Sequence, residues 1–388
     1  MKITDTILYI GVNDHEVDLF EGQYVVPNGM AYNSYAILDE KTAIMDTVDA
    51  RFTEEWLSNI EKALDGKAPD YLVVQHMEPD HSANIDNFMK KYPEAKIVSS
   101  AKAFAMMQGF FGTDYPERKV VVGEGDTLCL GAHTLTFVTA PMVHWPEVIV
   151  TYDSLDKVLF SADGFGKFGA LDVEEDWACE ARRYYIGIVG KYGPQVQALL
   201  GKAAGLEINM ICPLHGPVIR SDFGFFLDKY QKWSTYEPEE KAVMIAYGSI
   251  YGGTAAAADI LANKLAERGV KNITVYDTSA THSSYILADA FRCSHLVFAS
   301  ATYNNNIFST MEHLLHELKA HNLSNRTVAL IQNGTWGPNA GKQMRELLEG
   351  MKNMNILDGM VTIKSRLAEG QMSELDALAD AIVASMQA

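Results

Sequence analysis

One short segment, Gln75–Asn84 (QHMEPDHSAN), carries an unusual density of side chains that can ligate a metal ion. It follows the apolar run Tyr71–Val74 and precedes a helical pattern, which predicts a loop at a strand end. One interpretation is a polar loop whose Asp80 or Ser82 caps the next helix. Such a loop can instead point alternate side chains into one pocket that suits two metal ions. The four candidate ligands are His76, Glu78, Asp80 and His81.

Three further candidates each follow an apolar run. His144 follows Leu135–Met142 (LTFVTAPM). Asp163 follows Val158–Ala162, and His215 follows Ile208–Leu214. Any one of them alone is more often a hydrogen-bonded loop residue than a ligand. Because all of these ligand-type groups lie on loops after predicted strands, we expect them to meet in one metal centre.

The second half of the chain has a different pattern. From residue 243 onward, five apolar runs alternate with five helical segments, which predicts a doubly wound parallel sheet with right-handed crossovers. The predicted strands are Val243–Gly248, Asn272–Tyr276, His295–Ser300, Thr327–Ile331 and a last one near Ile356–Ile363. Small and hydroxyl residues follow the first strand, where a helix N-terminus can hold a phosphate through backbone N–H groups. There is no GxxxxGK[ST] motif for a nucleoside triphosphate.

The charge divides the chain at a similar point. The formal net charge is −18, yet the residues from 243 onward carry 11 Lys/Arg and 13 Asp/Glu. The remainder is therefore strongly acidic, which disfavours nucleic acid as a partner. Period-two alternation of apolar residues within residues 1–242 predicts an α+β or sandwich-type domain. The polar segment Lys232–Lys241 lies at the change in charge and is interpreted as the linker.

Taken together, the ordered set HxExDH, His144, Asp163 and His215 in front of an α/β half resembles the flavodiiron proteins. The resemblance covers essentially the whole chain. It implies an α/β plus α+β architecture: an N-terminal metallo-β-lactamase-like αββα sandwich over residues 1–240 and a C-terminal flavodoxin-like five-stranded doubly wound parallel sheet over 241–388.

The resemblance also implies roles for the candidate ligands. His76, Glu78 and His144 hold one iron, Asp80 and His215 hold the other, and Asp163 bridges the two. His81 ligates the second iron in some relatives and is displaced by water in others. The candidate catalytic residues are His81 and Tyr192. Tyr192 matches a tyrosine that lies near the pocket in the family. Zinc hydrolases of this superfold carry HxHxDH, and Glu78 in place of the second histidine favours iron over zinc.

For the second half, the resemblance implies bound FMN. Three loops after strand ends carry the predicted contacts, and Trp336 is expected to flank the flavin ring although the loop departs from the Ser-Tyr-Gly-Trp of many relatives. The predicted FMN residues are Ser249, Ile250, Tyr251, Gly252, Gly253, Thr254, Thr302, Tyr303, Asn304, Asn333, Gly334, Thr335, Trp336 and Gly337.

The function implied is reduction of O2 to water, of NO to N2O, or of both, with electrons relayed by FMN. Two alternatives are a dizinc hydrolase fused to a flavodoxin-like module and an electron carrier with a vestigial metal domain.

A separate electron donor such as a rubredoxin or a reduced deazaflavin is expected, because the chain ends after the last predicted helix. We also expect a head-to-tail homodimer or a dimer of dimers, no membrane partner and a cytoplasmic location, since no leader, membrane span or CxxC is present.

Overall fold

A computed structural model describes residues 1–387 and divides the chain into two compact units. The first unit comprises Met1–Tyr185 and Pro194–Tyr230, and the second comprises Ile186–Gly193 and the chain from Gln231 onward. The short segment Ile186–Gly193 thus belongs to the second unit, although the chain on both sides of it belongs to the first.

The first unit is built around two mixed sheets. Its strands are β1 (Ile7–Tyr9), β2 (Val12–Asp14), β3 (Leu19–Phe20), β4 (Tyr24–Val25), β5 (Met30–Tyr32), β6 (Tyr35–Ile37), β7 (Ala43–Met45), β8 (Tyr71–Val73), β9 (Lys96–Ser100), β10 (Lys119–Val122), β11 (Thr127–Cys129), β12 (Thr134–Thr139), β13 (Ile149–Asp153), β14 (Val158–Phe160) and β15 (Met210–Cys212). One sheet has the order β1-β6-β7-β8-β9-β10, and the other runs in sequence from β11 to β15. Two short ribbons, β2–β5 and β3–β4, complete the strands of this unit.

The hydrophobic core lies between the two sheets. Ile37, Val73 and Val98 from the first sheet pack in one buried cluster with Phe137 and Phe160 from the second. Alternate residues of a strand face opposite sides, so each sheet buries one face here and offers the other to helices. This is the sandwich that the sequence pattern predicts.

Helices accompany both sheets. The helices up to residue 235 are α1 (Thr53–Ala63), α2 (Pro79–Ser82), α3 (Ile85–Lys91), α4 (Ala101–Phe111), α5 (Trp177–Tyr184), α6 (Gly193–Ala203) and α7 (Phe223–Thr235). Helix α1 is amphipathic and buries Trp56 and Ile60, with the Trp56 ring 6.0 Å from Phe88 of α3. The outer faces of the sandwich are thereby covered, and its strand ends are left free to carry loops.

The second unit is a parallel sheet flanked by helices. Its strands are β16 (Glu240–Gly248), β17 (Ile273–Asp277), β18 (Cys293–Tyr303), β19 (Asn306–Ile307), β20 (Arg326–Asn333), β21 (Met354–Ile356) and β22 (Val361–Ile363). Its helices are α8 (Gly253–Glu267), α9 (Ser283–Arg292), α10 (Ser309–Ala320), α11 (Ala340–Glu349) and α12 (Met372–Gln387). The main path has the order β17-β16-β18-β20-β21, with parallel pairing throughout. This 2-1-3-4-5 order is that of flavodoxin-like sheets.

The structure corrects two details of the predicted elements. The fifth strand is two pieces, β21 and β22, which both pair with β20 and are separated by a turn in which Gly359 has a φ of +87°. The predicted linker Lys232–Lys241 is mostly ordered structure, because α7 continues to Thr235 and β16 begins at Glu240. Only Tyr236–Glu239 connects the two elements. Among residues 1–387, no helix is both long and apolar enough to cross a bilayer.

The core of the first unit gives a stability prediction. Phe160 is fully buried and its ring centroid lies 5.5 Å from that of Tyr35. We expect Phe160→Ala to lower the free energy of unfolding of this unit by about 3–5 kcal/mol, because it removes buried carbon and leaves a cavity. Urea titration measures the loss. The matched control is Phe110→Ala, because Phe110 is 51% exposed. An equal loss of stability in both variants would contradict the assignment of Phe160 to the core.

Candidate metal centre and cofactor pocket

All seven predicted metal ligands come together in the first unit. They form two adjacent groups, His76, Glu78, His144 and Asp163 in the first, and Asp80, His81 and His215 in the second. Six of the side chains are almost inaccessible to solvent, and Glu78 is the least buried at 12% side-chain exposure. Each group offers imidazole nitrogen and carboxylate oxygen to a common point.

In the first group, Nε2 of His144 lies 3.1 Å from Oε2 of Glu78 and 3.0 Å from Oδ2 of Asp163. The Nε2 atoms of His76 and His144 are 3.1 Å apart. In the second group, Nε2 of His81 and Nε2 of His215 are 2.9 Å apart. Each of these atoms is 3.2 Å from Oδ2 of Asp80.

These spacings are those of a metal coordination polyhedron. An ion with metal–ligand distances of about 2.0–2.2 Å sets neighbouring ligand atoms about 2.9–3.6 Å apart. The Asp163 carboxylate points one oxygen at each group, since Oδ1 is 3.6 Å from Nε2 of His81. No protein group donates a hydrogen bond of good geometry to either carboxylate oxygen of Asp80 or Asp163 among the described residues. The residues therefore fit two metal ions with Asp163 between them.

Strand ends of both sheets position these side chains. His76 follows β8, His144 follows β12, Asp163 follows β14 and His215 follows β15. Strands β14 and β15 are parallel neighbours, with Val158 opposite Met210, so the loops after them leave the sheet at the same edge. Glu78 is the N-cap residue of α2, where Pro79 opens the helix, and the one turn that follows presents Asp80 and His81.

Two buried acids that the sequence analysis missed hold the His76 loop. Glu147 is inaccessible, and its Oε1 accepts hydrogen bonds from Nδ1 of His76 at 2.8 Å and from Met77 N at 2.9 Å. Asp46 accepts from Gln75 N at 2.7 Å and from Gln75 Nε2 at 2.9 Å. A carboxylate on Nδ1 fixes the tautomer that leaves Nε2 free for a metal. The partner of Nδ1 on His215 is instead a neutral carbonyl, that of Ala31, at 2.8 Å.

Electrostatics hold the Asp163 carboxylate ionised. Burial alone raises the pKa of Asp163, but the charge of His76 and the close approach of His144 outweigh burial and lower that pKa. Burial likewise lowers the pKa of His144, while the nearby carboxylates of Asp163 and Glu78 outweigh burial and raise it to about 9. The site thus stabilises positive charge beside Asp163 and Glu78, which is the preference that a bound cation would satisfy.

The aromatic wall of this centre comes from residues that the sequence analysis did not select. The ring centroids of Phe20 and Tyr184 lie 5.4 and 5.3 Å from that of His215. Tyr184 is fully buried, and its pKa is raised because of burial and the nearby Asp163. Tyr192 belongs to the second unit, at the end of a 3-10 turn over Gly190–Tyr192, and the role expected of it stays a prediction.

A cavity of about 260 Å³ forms a mouth beside the centre. Charged residues line part of this mouth, namely the ligands Glu78 and Asp80 together with Glu21, Asp49 and Arg51. The rest of its lining is Val17, Leu19, Phe20, Tyr32 and Pro79. The guanidinium of Arg51 bonds to the carboxylates of Asp49, at 2.9 Å, and Asp14. Small polar molecules and protons can reach the metal groups from this side.

The second unit contains a larger cavity at the carboxyl ends of its strands. Its volume is about 540 Å³, within the range of small-molecule sites. Of the predicted FMN residues, all but Gly252 and Tyr303 line it; Ala301, Asn305 and Ser365 are additional lining residues. Tyr303 is 51% exposed, and its ring meets the edge of the Phe308 ring at 6.2 Å. Gly252 has a φ of +86° and precedes α8 as its N-cap residue.

The three loops around this cavity are tied to one another. Asn333 donates from Nδ2 to the Ser365 carbonyl at 3.0 Å and accepts from Ser365 N at 3.0 Å. Thr302 Oγ1 accepts from Asn339 N and Ala340 N at the start of α11. A Cβ atom on Gly253 would lie 2.0 Å from the Ser365 carbonyl oxygen, so this position requires glycine. The helix N-terminus offers backbone N–H groups, and no lysine or arginine lines the described cavity.

Two aromatic residues project from the rim. The side chains of Tyr251 and Trp336 are 99% and 95% exposed, a costly placement for large rings unless a flat group stacks on them. The cavity, the helix N-terminus and these rings fit a ligand that combines a phosphate with a planar ring system.

The hydrogen bond to His76 gives a prediction for metal binding. We expect Glu147→Gln to weaken metal binding at the first group about 10- to 100-fold, because the imidazole loses the anionic partner that fixes its orientation. Chelator competition on metal-stripped protein measures the affinity. Glu94→Gln, at an exposed position, is the matched control, and unchanged affinity in Glu147→Gln would refute the orienting role.

The close approach at Gly253 gives a prediction for the cofactor pocket. We expect Gly253→Ala to weaken FMN binding at least about tenfold, or about 1.4 kcal/mol, because the added methyl group displaces the start of α8. Flavin fluorescence titration of the flavin-free protein measures it. Gly370→Ala is the control, since a Cβ there meets no neighbour within 4 Å. Equal affinity in both variants would show that the loop tolerates the methyl group.

Comparison with known proteins identifies the family. The family model described as "ODP family beta lactamase" matches residues 30–216. The rubredoxin-oxygen oxidoreductase of Megalodesulfovibrio gigas is 30% identical over 401 residues, covering 100% of this chain and 98% of that protein. The nitric oxide reductase of Moorella thermoacetica is 29% identical and covers 91% of this chain and 90% of its own.

A solved structure agrees with these relatives. The flavodiiron protein from Giardia intestinalis matches with a TM-score of 0.92 at 25% identity, covering 100% of this chain and 97% of that chain. The two buried ligand groups, the cavity in the second unit and these whole-length matches place the chain in the flavodiiron protein family.

Proposed function

We propose that this chain is an oxidoreductase that reduces O2 to water, NO to N2O, or both, with electrons passed through FMN. The observation that carries the proposal is the pair of buried ligand groups that face the two oxygens of Asp163. A dizinc hydrolase would have the same two groups, and Glu78 in place of a histidine is the feature that favours iron over zinc.

We assign the metal ligands as the sequence predicts. His76, Glu78 and His144 would hold one iron, Asp80 and His215 would hold the other, and Asp163 would offer one oxygen to each. The distance of 2.9 Å between Nε2 of His81 and Nε2 of His215 supports His81 as a further ligand of the second iron. Glu78 supplies an oxygen ligand that suits iron better than zinc. When bound, the two irons supply the electrons and the Lewis acidity for reduction of the gas.

The protein's own contribution is orientation and exclusion of water. Glu147 and the Ala31 carbonyl hold His76 and His215 with their Nε2 atoms inward. The rings of Phe20 and Tyr184 pack against the His215 ring and shield it from water. Tyr184 keeps its proton because burial raises the pKa of its hydroxyl, so it can serve as a hydrogen-bond donor in the pocket.

In the second unit, the loop Ser249–Thr254 holds the FMN phosphate, and the loops around Thr302 and Asn333 border the flavin ring. Ser249 Oγ accepts from Gly252 N at 3.1 Å, which shapes the phosphate loop before the ligand arrives. Trp336 flanks the ring. The lack of a lysine or arginine among the described lining residues suits a monophosphate held by backbone dipoles.

The remaining assignments complete the proposal. Residues 1–240 form the diiron domain and residues 241–388 form the FMN domain. Electrons come from a separate donor such as a rubredoxin or a reduced deazaflavin, and the protein acts as a head-to-tail homodimer in the cytoplasm. All four cysteines are free thiols, as expected for a reducing compartment.

Gas consumption by the reduced protein tests the function. We expect the iron- and FMN-loaded protein, reduced chemically without air, to consume O2 or NO faster than free FMN does. Electrode measurements of the two gases side by side decide which is preferred. Two zinc ions per chain, with no gas consumption above free flavin, would support the hydrolase alternative instead.

The bridging carboxylate provides a variant for the same assay. Asp163→Asn keeps the shape but removes the negative charge between the two groups. We expect gas consumption to fall at least about 100-fold while FMN affinity stays unchanged, because loss of an essential catalytic group costs several kcal/mol. Equal loss of FMN binding would contradict the assignment of the two sites to separate domains.

A further inference from the structure

A small apolar cavity lies behind the metal centre, inside the first unit. Its volume is about 40 Å³. Val138 of β12, Val150 of β13 and Leu159 of β14 form the wall on the sheet side. The opposite wall comes from helix α6 and the residues after it, which contribute Val196, Leu199, Leu200, Ala203 and Leu206. The cavity therefore lies between the outer face of the second sheet and α6, where half-buried residues such as Leu199 and Ala203 leave it partly open.

The polar groups that line this cavity already have partners. Ser161 Oγ donates to the Gly164 carbonyl at 2.6 Å, and the Tyr230 hydroxyl accepts from Phe165 N. A buried water molecule needs two to four polar partners. The remaining wall is hydrocarbon, so the cavity favours an apolar occupant over water.

The size of the cavity limits that occupant. About 10–15 Å³ by this measure holds one water molecule, and 40 Å³ has room for a molecule of two heavy atoms or one xenon atom. We propose that this cavity binds an apolar diatomic gas and supplies it to the metal centre. The supply role rests on the proposed function, whereas gas binding in the cavity does not.

The ligand loops form the partition between the cavity and the centre. Val143 and Gly164 line the cavity, and they are the chain neighbours of His144 and Asp163. Gly164 N bonds to the Ser161 carbonyl at 2.9 Å, closing a turn that carries the Asp163 carboxylate toward the histidines. Gas in the cavity thus lies against two of the ligand loops.

Xenon binding tests the cavity without any turnover. Crystals of the full chain pressurised with xenon should show anomalous density between β13 and α6 in the wild type. Ala203→Phe fills the space from the helix side and should abolish that density. Ala203→Leu is a smaller filling variant if the larger ring destabilises the fold. Ala198→Phe, on an exposed position of the same helix, should leave the xenon site unchanged.

Gas kinetics test the supply role in the same variants. We expect the KM for the gas to rise severalfold in Ala203→Phe or Ala203→Leu with kcat retained, because the metal ligands are untouched, and to stay unchanged in Ala198→Phe. Absence of xenon from the wild-type cavity would overturn the proposal. An unaltered KM in an Ala203 variant whose side chain fills the cavity would also overturn it. The proposed function of the enzyme would still stand in that case. A wild type that binds xenon but reduces neither gas would overturn the proposed function and the supply role, and leave only the gas site.

Discussion

The first unit is organised around the cost of burying charge. Three carboxylates and four imidazoles meet in a space almost closed to water. Ionised groups taken out of water are unfavourable unless opposite charge compensates them. Hydrogen bonds between the facing Nε2 atoms do not supply that compensating charge. Two cations would resolve this conflict, because they would bind the same atoms that otherwise repel one another. Metal binding would then stabilise the folded state of this region.

The surrounding structure holds that arrangement open. Asn33 donates from Nδ2 to the carbonyls of Pro213 and Gly216, at 2.9 and 2.8 Å, on either side of His215. Asp46 fixes the backbone before His76, and Glu147 fixes the ring of His76 itself. These hydrogen bonds are themselves buried and so lose little to competition with water. They keep the ligand atoms in place before a metal arrives.

How far the sequence predicts this molecule depends on the range of the interaction. The ligands His144, Asp163 and His215 are recognisable because each follows an apolar strand, and parallel strand ends share an edge. Glu147 and Asp46 were missed because their partners lie 71 and 29 residues away, and no local pattern records such a contact.

The same holds for the second unit. Its alternating strands and helices are a local pattern and were predicted, as was the sheet they form. Ser365 escaped notice because it reaches the cavity only through its pairing with Asn333. The interruption between β21 and β22 was also missed, although Asp358-Gly359 between them is a turn signal in the sequence.

The two cofactor sites use different physics, and this explains why one motif is stronger than the other. The metal site recognises charge, so it needs particular side chains in a particular order. The proposed flavin site would use backbone N–H groups and close approach, so its record in the sequence is a few glycines and hydroxyl residues, such as Gly253 and Thr254. Glycine positions that exclude a Cβ are therefore the informative ones there.

The metal centre also has two unlike sides. Its mouth is lined by charged groups such as Glu21 and Arg51, whereas the space behind its ligand loops is hydrocarbon. Reduction of O2 or NO to water or N2O consumes protons as well as an uncharged gas, and these reactants prefer opposite surroundings. Protons move along polar groups, and a diatomic gas partitions into apolar space. A centre with charged groups at its mouth and an apolar cavity against its ligand loops can receive both kinds of reactant.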